Sequence, residues 1–93
     1  MLRKIKQMTK LEEVRRIARR KGISGEISVS TRPTKKYMIR KDDKLIHFGA
    51  RGMSDFLEHK DEARRQRFRA RFGNNPARHD RNSPLFYSWN LLW

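Results

Sequence analysis

A large excess of positive charge is the feature that most constrains what this chain can fold into. Its 93 residues include 24 Lys and Arg but only 10 Asp and Glu, which gives a formal net charge of +14. Repulsion among these charges opposes the compact state. A chain of this length also buries only about 60–65% of its unfolded surface. We therefore expect one small domain with a thin core and a negatively charged partner, not a free-standing enzyme with a small-molecule substrate.

The sequence lacks several features that stabilise small proteins or anchor them to a membrane. It contains no Cys, so a disulfide framework and a thiolate zinc site are both excluded. The longest mostly apolar stretch, Leu85 to Trp93, is far shorter than the ~20 residues that a membrane span needs. Residues 1–10 are basic and lack an apolar region after them, so they do not form a secretory signal. We predict no cofactor, no metal site and no membrane span.

The first predicted element is a helix over about residues 10–21, preceded by a basic arm at residues 1–9. Thr9 and Glu12 have the spacing of a capping box, and Gly22 supplies a stop signal. Apolar residues recur between them at helical spacing, at Leu11, Val14, Ile17 and Ala18.

Three short strands are predicted next, at residues 26–30, 36–40 and 45–48. The first alternates polar and apolar residues, and a turn at residues 41–44 joins the other two. Such a small antiparallel meander needs a helix packed on it to be stable.

An Arg-rich second helix is predicted over about residues 61–72, followed by a polar loop and an extended C-terminal tail. The predicted class is therefore α+β, with residues 10–73 forming the domain and residues 74–93 a loop and an apolar anchor. The second helix carries five Arg within eight positions, more than its two acids, Asp61 and Glu62, can pair. The planar guanidinium of Arg grips phosphate or carboxylate groups in a bidentate manner.

Together with the end of the first helix, these arginines predict contact with a polyanion from several sides. The alternatives are a solvated helix face or an acidic protein partner. We expect no sequence-specific reading, because the Arg residues are spread around the helix. The predicted polyanion-binding residues are Arg15, Arg16, Arg19, Arg20, Lys21, Arg64, Arg65, Arg67, Arg69 and Arg71.

The C-terminal tail is dense in large apolar side chains and would be an aggregation hazard if it were exposed. Two interpretations lead: packing on the chain's own thin core, or insertion into a pocket of a partner. An anchor at a membrane interface is a further alternative. The predicted partner-anchoring residues are Phe86, Tyr87, Trp89, Leu92 and Trp93.

The three histidines invite an enzyme hypothesis, because His47, His59 and His79 could be combined with nearby Asp residues into a metal-dependent nuclease site. None of them has a known ligand spacing, and no motif of nucleophilic catalysis is present. We therefore predict that the protein is not an enzyme and that His47 makes a structural hydrogen bond.

A longer pattern covers about residues 30–72. It consists of Lys35-Lys36-Tyr37-Met38-Ile39, Ile46-His47-Phe48-Gly49-Ala50-Arg51-Gly52, Asp55-Phe56, His59-Lys60-Asp61-Glu62, Arg64-Arg65 and Arg69-Ala70-Arg71. This pattern resembles the small, basic, functionally uncharacterised proteins encoded by nucleocytoplasmic large DNA viruses (giant viruses) and some phages.

The resemblance implies a viral origin and a role in the virion or with the genome, without an activity or catalytic residues. We therefore expect a non-enzymatic virion structural protein, either a minor capsid or an internal component, that bridges coat proteins, the genome or both. Its partners would be other virion proteins and, without sequence specificity, nucleic acid. It would reside in the virion, and in the host cytoplasm or nucleus during assembly. The alternative is a non-specific DNA-binding protein that compacts or regulates DNA in the infected cell.

Overall fold

The computed structural model describes residues 9–93, so the predicted basic arm lies outside the described residues except for Thr9. The regular elements follow one another along the chain as α1 Lys10–Arg20, β1 Glu26–Val29, β2 Lys35–Lys41, β3 Lys44–Ala50, α2 Phe56–His59, α3 Glu62–Phe72, a 3₁₀ turn Pro76–His79 and α4 Pro84–Tyr87, which continues as π-helical turns Ser88–Leu92. The predicted α+β class is confirmed. Within the described residues, no helix combines the length and apolar character needed to cross a membrane.

Helix α1 begins at the predicted capping box. The Thr9 Oγ1 atom accepts a hydrogen bond from the backbone N–H of Glu12 at 3.1 Å, and it donates one to the Glu12 carboxylate at 3.0 Å. These bonds satisfy groups that a helix end leaves without intrahelical partners. Val14 and Ala18 are buried on the face that was predicted to be apolar.

The sheet is the predicted antiparallel meander, in the order β1-β2-β3. Tyr37 lies opposite Phe48, and Ile39 lies opposite Ile46, so the apolar residues of β2 and β3 share one face. Asp42 has a φ of 54° in the turn between these strands, a conformation that Asp tolerates better than most residues.

The core forms where α1 and the last helical turns of the chain pack with the sheet. Phe48 and Tyr87 are fully buried, with ring centroids 5.7 Å apart. The Tyr87 hydroxyl donates to the Arg81 carbonyl at 2.6 Å, so this buried polar atom is satisfied. The remaining core residues are Val14, Ala18, Ile23, Ile27, Ile39, Ile46, Leu57, Leu91 and Leu92.

The C-terminal residues differ from the predicted extended tail, because they are helical from Pro84 to Leu92. We call residues 84–93 the C-terminal segment. The Ser83 Oγ atom caps its first turn by accepting from the Leu85 N–H at 3.2 Å. Proline at the first helical position is also a helix-start signal. The prediction of an extended tail was wrong. It treats the polar residues before the tail as a loop only, although Ser83 and Pro84 among them begin a helix.

The short helix α2 follows the sheet along the chain and precedes α3. Its N-cap is Asp55, whose carboxylate accepts from the Glu58 N–H at 3.3 Å. The N-cap of α3 is Asp61, whose side chain accepts from the N–H groups of Ala63 and Arg64 at 3.0 and 3.3 Å. These two caps fix where α2 and α3 begin.

Candidate functional site

One face of α3 combines guanidinium groups with aromatic rings. Arg64, Arg67, Phe68, Arg71 and Phe72 occupy positions i, i+3, i+4, i+7 and i+8, which lie on the same side of a helix. In a helix that packs on a core, such a face is normally apolar. Here most of it is Arg, so α3 has no buried residue. A groove is therefore left open between α3, the sheet and the C-terminal segment.

The groove has a volume of about 610 Å³, which lies within the usual range of ligand pockets. Arg64, Arg67 and Arg71 line it on the α3 side, and Lys35 and Lys36 of β2 line it on the sheet side. The apolar side chains among its lining are those of Ala50, Met53, Phe68, Phe72, Pro84, Leu85, Leu92 and Trp93.

Among the described residues 9–93, Asp55 is the only Asp or Glu whose side chain lines the groove, and Lys36 neutralises it. The Lys36 ammonium donates to the Asp55 carboxylate at 2.8 Å and to that of Glu58 at 2.5 Å. Burial alone would lower the pKa of Lys36, but its hydrogen bonds to these two acids outweigh burial and raise that pKa above 10.5. Lys36 is therefore positively charged and committed to these two carboxylates.

The other four cations of the groove are not balanced in this way. Across residues 9–93, no carboxylate lies within 4.0 Å of the charged groups of these side chains. Arg64 donates from Nη1 to the Ser54 hydroxyl at 3.1 Å, a neutral acceptor. The groove thus presents a strong positive potential to a ligand. These unbalanced cations are Lys35, Arg64, Arg67 and Arg71.

An aromatic cluster joins α3 to the C-terminal segment and forms part of the groove floor. The rings of Phe68 and Trp93 are stacked, with centroids 4.4 Å apart and planes 3° apart. Phe72 lies 4.8 Å from Phe68. Also between α3 and the C-terminal segment, the Arg69 guanidinium lies over the Trp89 ring at 5.1 Å and donates to the Trp93 carbonyl at 3.3 Å. Arg69 therefore holds the groove wall in place instead of lining the groove.

The predicted polyanion-binding arginines of α3 thus divide into two groups. Arg64, Arg67 and Arg71 line the groove, whereas Arg65 and Arg69 do not. Arg65 donates two hydrogen bonds to Glu62, at 3.0 and 3.1 Å, and its guanidinium lies 4.4 Å from the centre of the Phe56 ring.

The predicted basic residues of α1 form a separate surface, because none of them lines the groove. Arg15 donates to the Ile27 carbonyl at 2.8 Å, and Lys21 donates to the Asn90 carbonyl at 2.6 Å. Burial, followed by the charges of Arg69 and Arg20, lowers the pKa of Lys21. The other predicted residues of this helix, Arg16, Arg19 and Arg20, are exposed.

The predicted anchor residues are placed mainly on the chain's own core. Tyr87 and Leu92 are 0% and 1% exposed, so a partner could not receive them without opening the core. Phe86, Trp89 and Trp93 are half-buried. Of the two interpretations of the tail, the structure shows packing on the same chain, and docking of the three half-buried rings on a partner stays a prediction.

The histidines have structural contacts. His47 is buried, and its Nδ1 atom lies 2.7 Å from the Ser30 hydroxyl in a hydrogen bond. His59 Nδ1 accepts from the Asp61 N–H at 2.9 Å, and its ring packs 5.3 Å from that of Trp93. In the part of the chain that the structure describes, no group of three or more His, Asp or Glu side chains could hold a metal ion.

Lys35, Phe68 and Phe72 line the groove but are not among the predicted site residues. The signal that could have indicated Phe68 and Phe72 is the mixed face of α3, where aromatic residues alternate with Arg at positions that face the rest of the protein.

The fold and the groove together define a small α+β protein with a cationic, partly aromatic cleft. The chain belongs to a family of unknown function (DUF5754), whose model matches residues 25–72, about half of the chain. The matched span runs from β1 to the end of α3, so it includes the cationic sides of the groove and excludes the C-terminal segment. No curated protein and no solved structure matches the chain.

Proposed function

We propose that this protein is a non-enzymatic nucleic-acid-binding protein that holds a phosphate backbone in its groove without reading the sequence. The observation that supports this proposal is the set of four groove cations, Lys35, Arg64, Arg67 and Arg71, that have no carboxylate partner among residues 9–93. A partner rich in phosphate supplies the missing negative charge, and each neutralised phosphate releases counterions.

The spacing of the three arginines suits a repeating anion. With a rise of about 1.5 Å per residue, Arg64 and Arg67 are separated by roughly 4.5 Å along the helix, and Arg67 and Arg71 by roughly 6 Å. Each guanidinium can grip a phosphate with two parallel hydrogen bonds. Three such groups in a row bind successive phosphates of one strand, whereas a single small anion would engage only one or two of them.

We expect no sequence-specific binding, because the proposed contacts are to phosphates. Contacts to phosphates position a protein on nucleic acid but carry no sequence information. Among residues 9–93, the polar lining of the groove consists of Arg and Lys together with Ser54, Asp55 and Ser88, without an Asn or Gln that could form the usual bidentate pair with adenine. Its Arg side chains could pair with guanine, but we assign them to phosphates.

The virion role is part of this proposal as its biological setting. The resemblance to basic proteins of large DNA viruses makes a viral genome the candidate nucleic acid. A bridge to coat proteins would use the half-buried rings of Phe86 and Trp89, since Trp93 lines the groove and Tyr87 and Leu92 belong to the core.

The test is binding of labelled random-sequence DNA and RNA, measured by fluorescence anisotropy between 50 and 200 mM salt. The groove variant combines Arg64→Gln, Arg67→Gln and Arg71→Gln. The matched control combines Arg16→Gln, Arg19→Gln and Arg20→Gln on α1, which removes the same charge from exposed positions outside the groove. Gln keeps a high helix propensity in both variants.

We expect the wild-type affinity to fall steeply with salt. The groove variant should lose about 2–3 units of the slope of log affinity against log salt, since each phosphate contact contributes about 0.7–0.9. It should also bind at least tenfold more weakly than the control variant. The proposal fails if the wild-type protein shows no salt-dependent binding, or if the two variants lose affinity equally.

A further inference from the structure

We propose that the groove takes single-stranded nucleic acid, with unpaired bases placed on its apolar floor and phosphates on its cationic rim. This inference rests on the proposed function and specifies the form of nucleic acid that the same groove binds.

The composition of the groove goes beyond what a phosphate backbone requires. Phosphates need cations, yet the groove also exposes aromatic and aliphatic side chains next to those cations. Phe68, Phe72 and Trp93 are each half-buried, so part of each ring lies in the open groove. Unpaired bases stack on aromatic side chains, and this stacking tolerates any base because every base has a π face.

Guanidinium groups and aromatic rings alternate along α3 in a way that matches the alternation of phosphates and bases in a nucleic-acid strand. Arg67 is followed by Phe68, and Arg71 is followed by Phe72, so a guanidinium–ring pair recurs after four residues, or roughly 6 Å along the helix. Each nucleotide likewise offers one phosphate and one base. Stacked nucleotides in a duplex strand are about 3.4 Å apart along the axis, and an extended single strand spaces them more widely.

The arrangement of the aromatic rings also favours stacking of bases on them. Trp93 stacks on Phe68 at 4.4 Å and holds that ring in a fixed orientation. The Arg71 guanidinium lies over the Phe72 ring at 5.1 Å, so it leaves that ring face to a base when it turns to a phosphate. The Phe68–Trp93 part of the floor is already organised before a ligand arrives, which lowers the entropic cost of binding there.

A duplex cannot use this floor. Its bases are stacked on one another and paired, so it presents mainly phosphates and the edges of its grooves. The cavity of about 610 Å³ accommodates a ligand of drug-like size, such as one or two nucleotides, but not the width of a double helix. A duplex would therefore contact only the rim, and it would gain nothing from Phe68, Phe72 or Trp93.

The test compares three ligands of equal length at the same salt concentration: a single-stranded oligothymidylate, the corresponding oligomer with abasic sugars, and a duplex. Phe72→Leu removes a ring of the floor while it keeps an apolar side chain. Phe56→Leu is the matched control, because Phe56 is a half-buried ring on α2 that does not line the groove. A poly-glutamate peptide serves as a protein-like polyanion.

We expect the wild-type protein to bind the single strand at least tenfold more tightly than the abasic oligomer or the duplex. Phe72→Leu should weaken single-strand binding by roughly fivefold or more, the lower end of the contribution of one stacked base, and should leave the abasic and duplex affinities unchanged. Phe56→Leu should leave all three affinities unchanged.

Two other results would separate the two proposals. If the abasic oligomer or the duplex binds as tightly as the single strand, the inference about bases is wrong, but phosphate binding in the groove stands. If no nucleic acid binds, or if poly-glutamate binds as tightly as every nucleic acid, both proposals are wrong.

Discussion

Replacement of Leu92 by Ala tests whether the C-terminal segment belongs to the folded core of an isolated molecule. Leu92 is 1% exposed, and its Cδ1 atom lies so close to Gly49 that a Cβ atom there would be 2.9 Å away. The same side chain also lines the groove. The matched control is Leu45→Ala on β3, where the identical side chain is 45% exposed.

The expected cost of Leu92→Ala is about 2–5 kcal/mol, because the change loses the transfer free energy of a buried side chain and leaves a cavity. For Leu45→Ala we expect about 1 kcal/mol or less, since solvent fills the vacated space and less apolar surface was buried. A chain of this size has a free energy of unfolding of roughly 5–14 kcal/mol. At the middle of these two ranges, Leu92→Ala should therefore remove roughly a third of the stability.

Urea unfolding followed by circular dichroism measures both variants. With a slope of about 1–1.5 kcal/mol per M for a small protein, the midpoint of Leu92→Ala should fall by about 3 M at the middle of these ranges, and that of Leu45→Ala by less than about 1 M. The midpoints should not depend on protein concentration. Equal shifts for the two leucines, or a wild-type midpoint that rises with concentration, would refute packing of the segment on its own chain.

Two further predictions concern strand β3. Burial, followed by the charges of Arg32 and Lys35, lowers the pKa of His47 below 6.5. The unfolded chain therefore binds a proton there more readily, and stability is lost as the pH falls below about 6.5. His47→Gln should flatten a plot of melting temperature between pH 5 and 7.5, whereas parallel plots for the wild type and the variant would contradict this prediction. Gly49→Ala should cost about 1–3 kcal/mol more than Gly22→Ala in urea unfolding. Both residues have positive φ angles, 81° and 70°, but only the new Cβ at position 49 meets neighbouring side chains. Equal costs would show that the contact with Leu92 is relaxed without penalty.

The parts of the fold that were predictable depend on signals within a few residues. The Thr9–Glu12 capping box located the start of α1, and the alternation around residues 26–48 located three strands and a turn. These signals act through local hydrogen bonds and through the two-residue period of a strand, so they can be recognised without knowledge of distant contacts.

The C-terminal segment was not predicted correctly, because its conformation depends on distant contacts. Ser83 and Pro84 give a helix-start signal, but the turns that follow are short and would be marginal alone. Burial of Tyr87, Leu91 and Leu92 against the sheet and α1 stabilises them. The composition of the tail indicated only that it had to be buried, on its own chain or on another.

The sequence by itself determined α1, the three strands and α3, and it predicts the sign of the partner's charge and the residues able to bind phosphate. Which of ten predicted basic residues form one site was decided only by tertiary structure, since that depends on how α3 faces the sheet. Arg64, Arg67 and Arg71 line the groove because the aromatic contacts of Phe68 with the C-terminal segment hold α3 beside the sheet without burying it. Net charge follows from the sequence alone, whereas an open groove depends on how closely the helices and the sheet pack against one another.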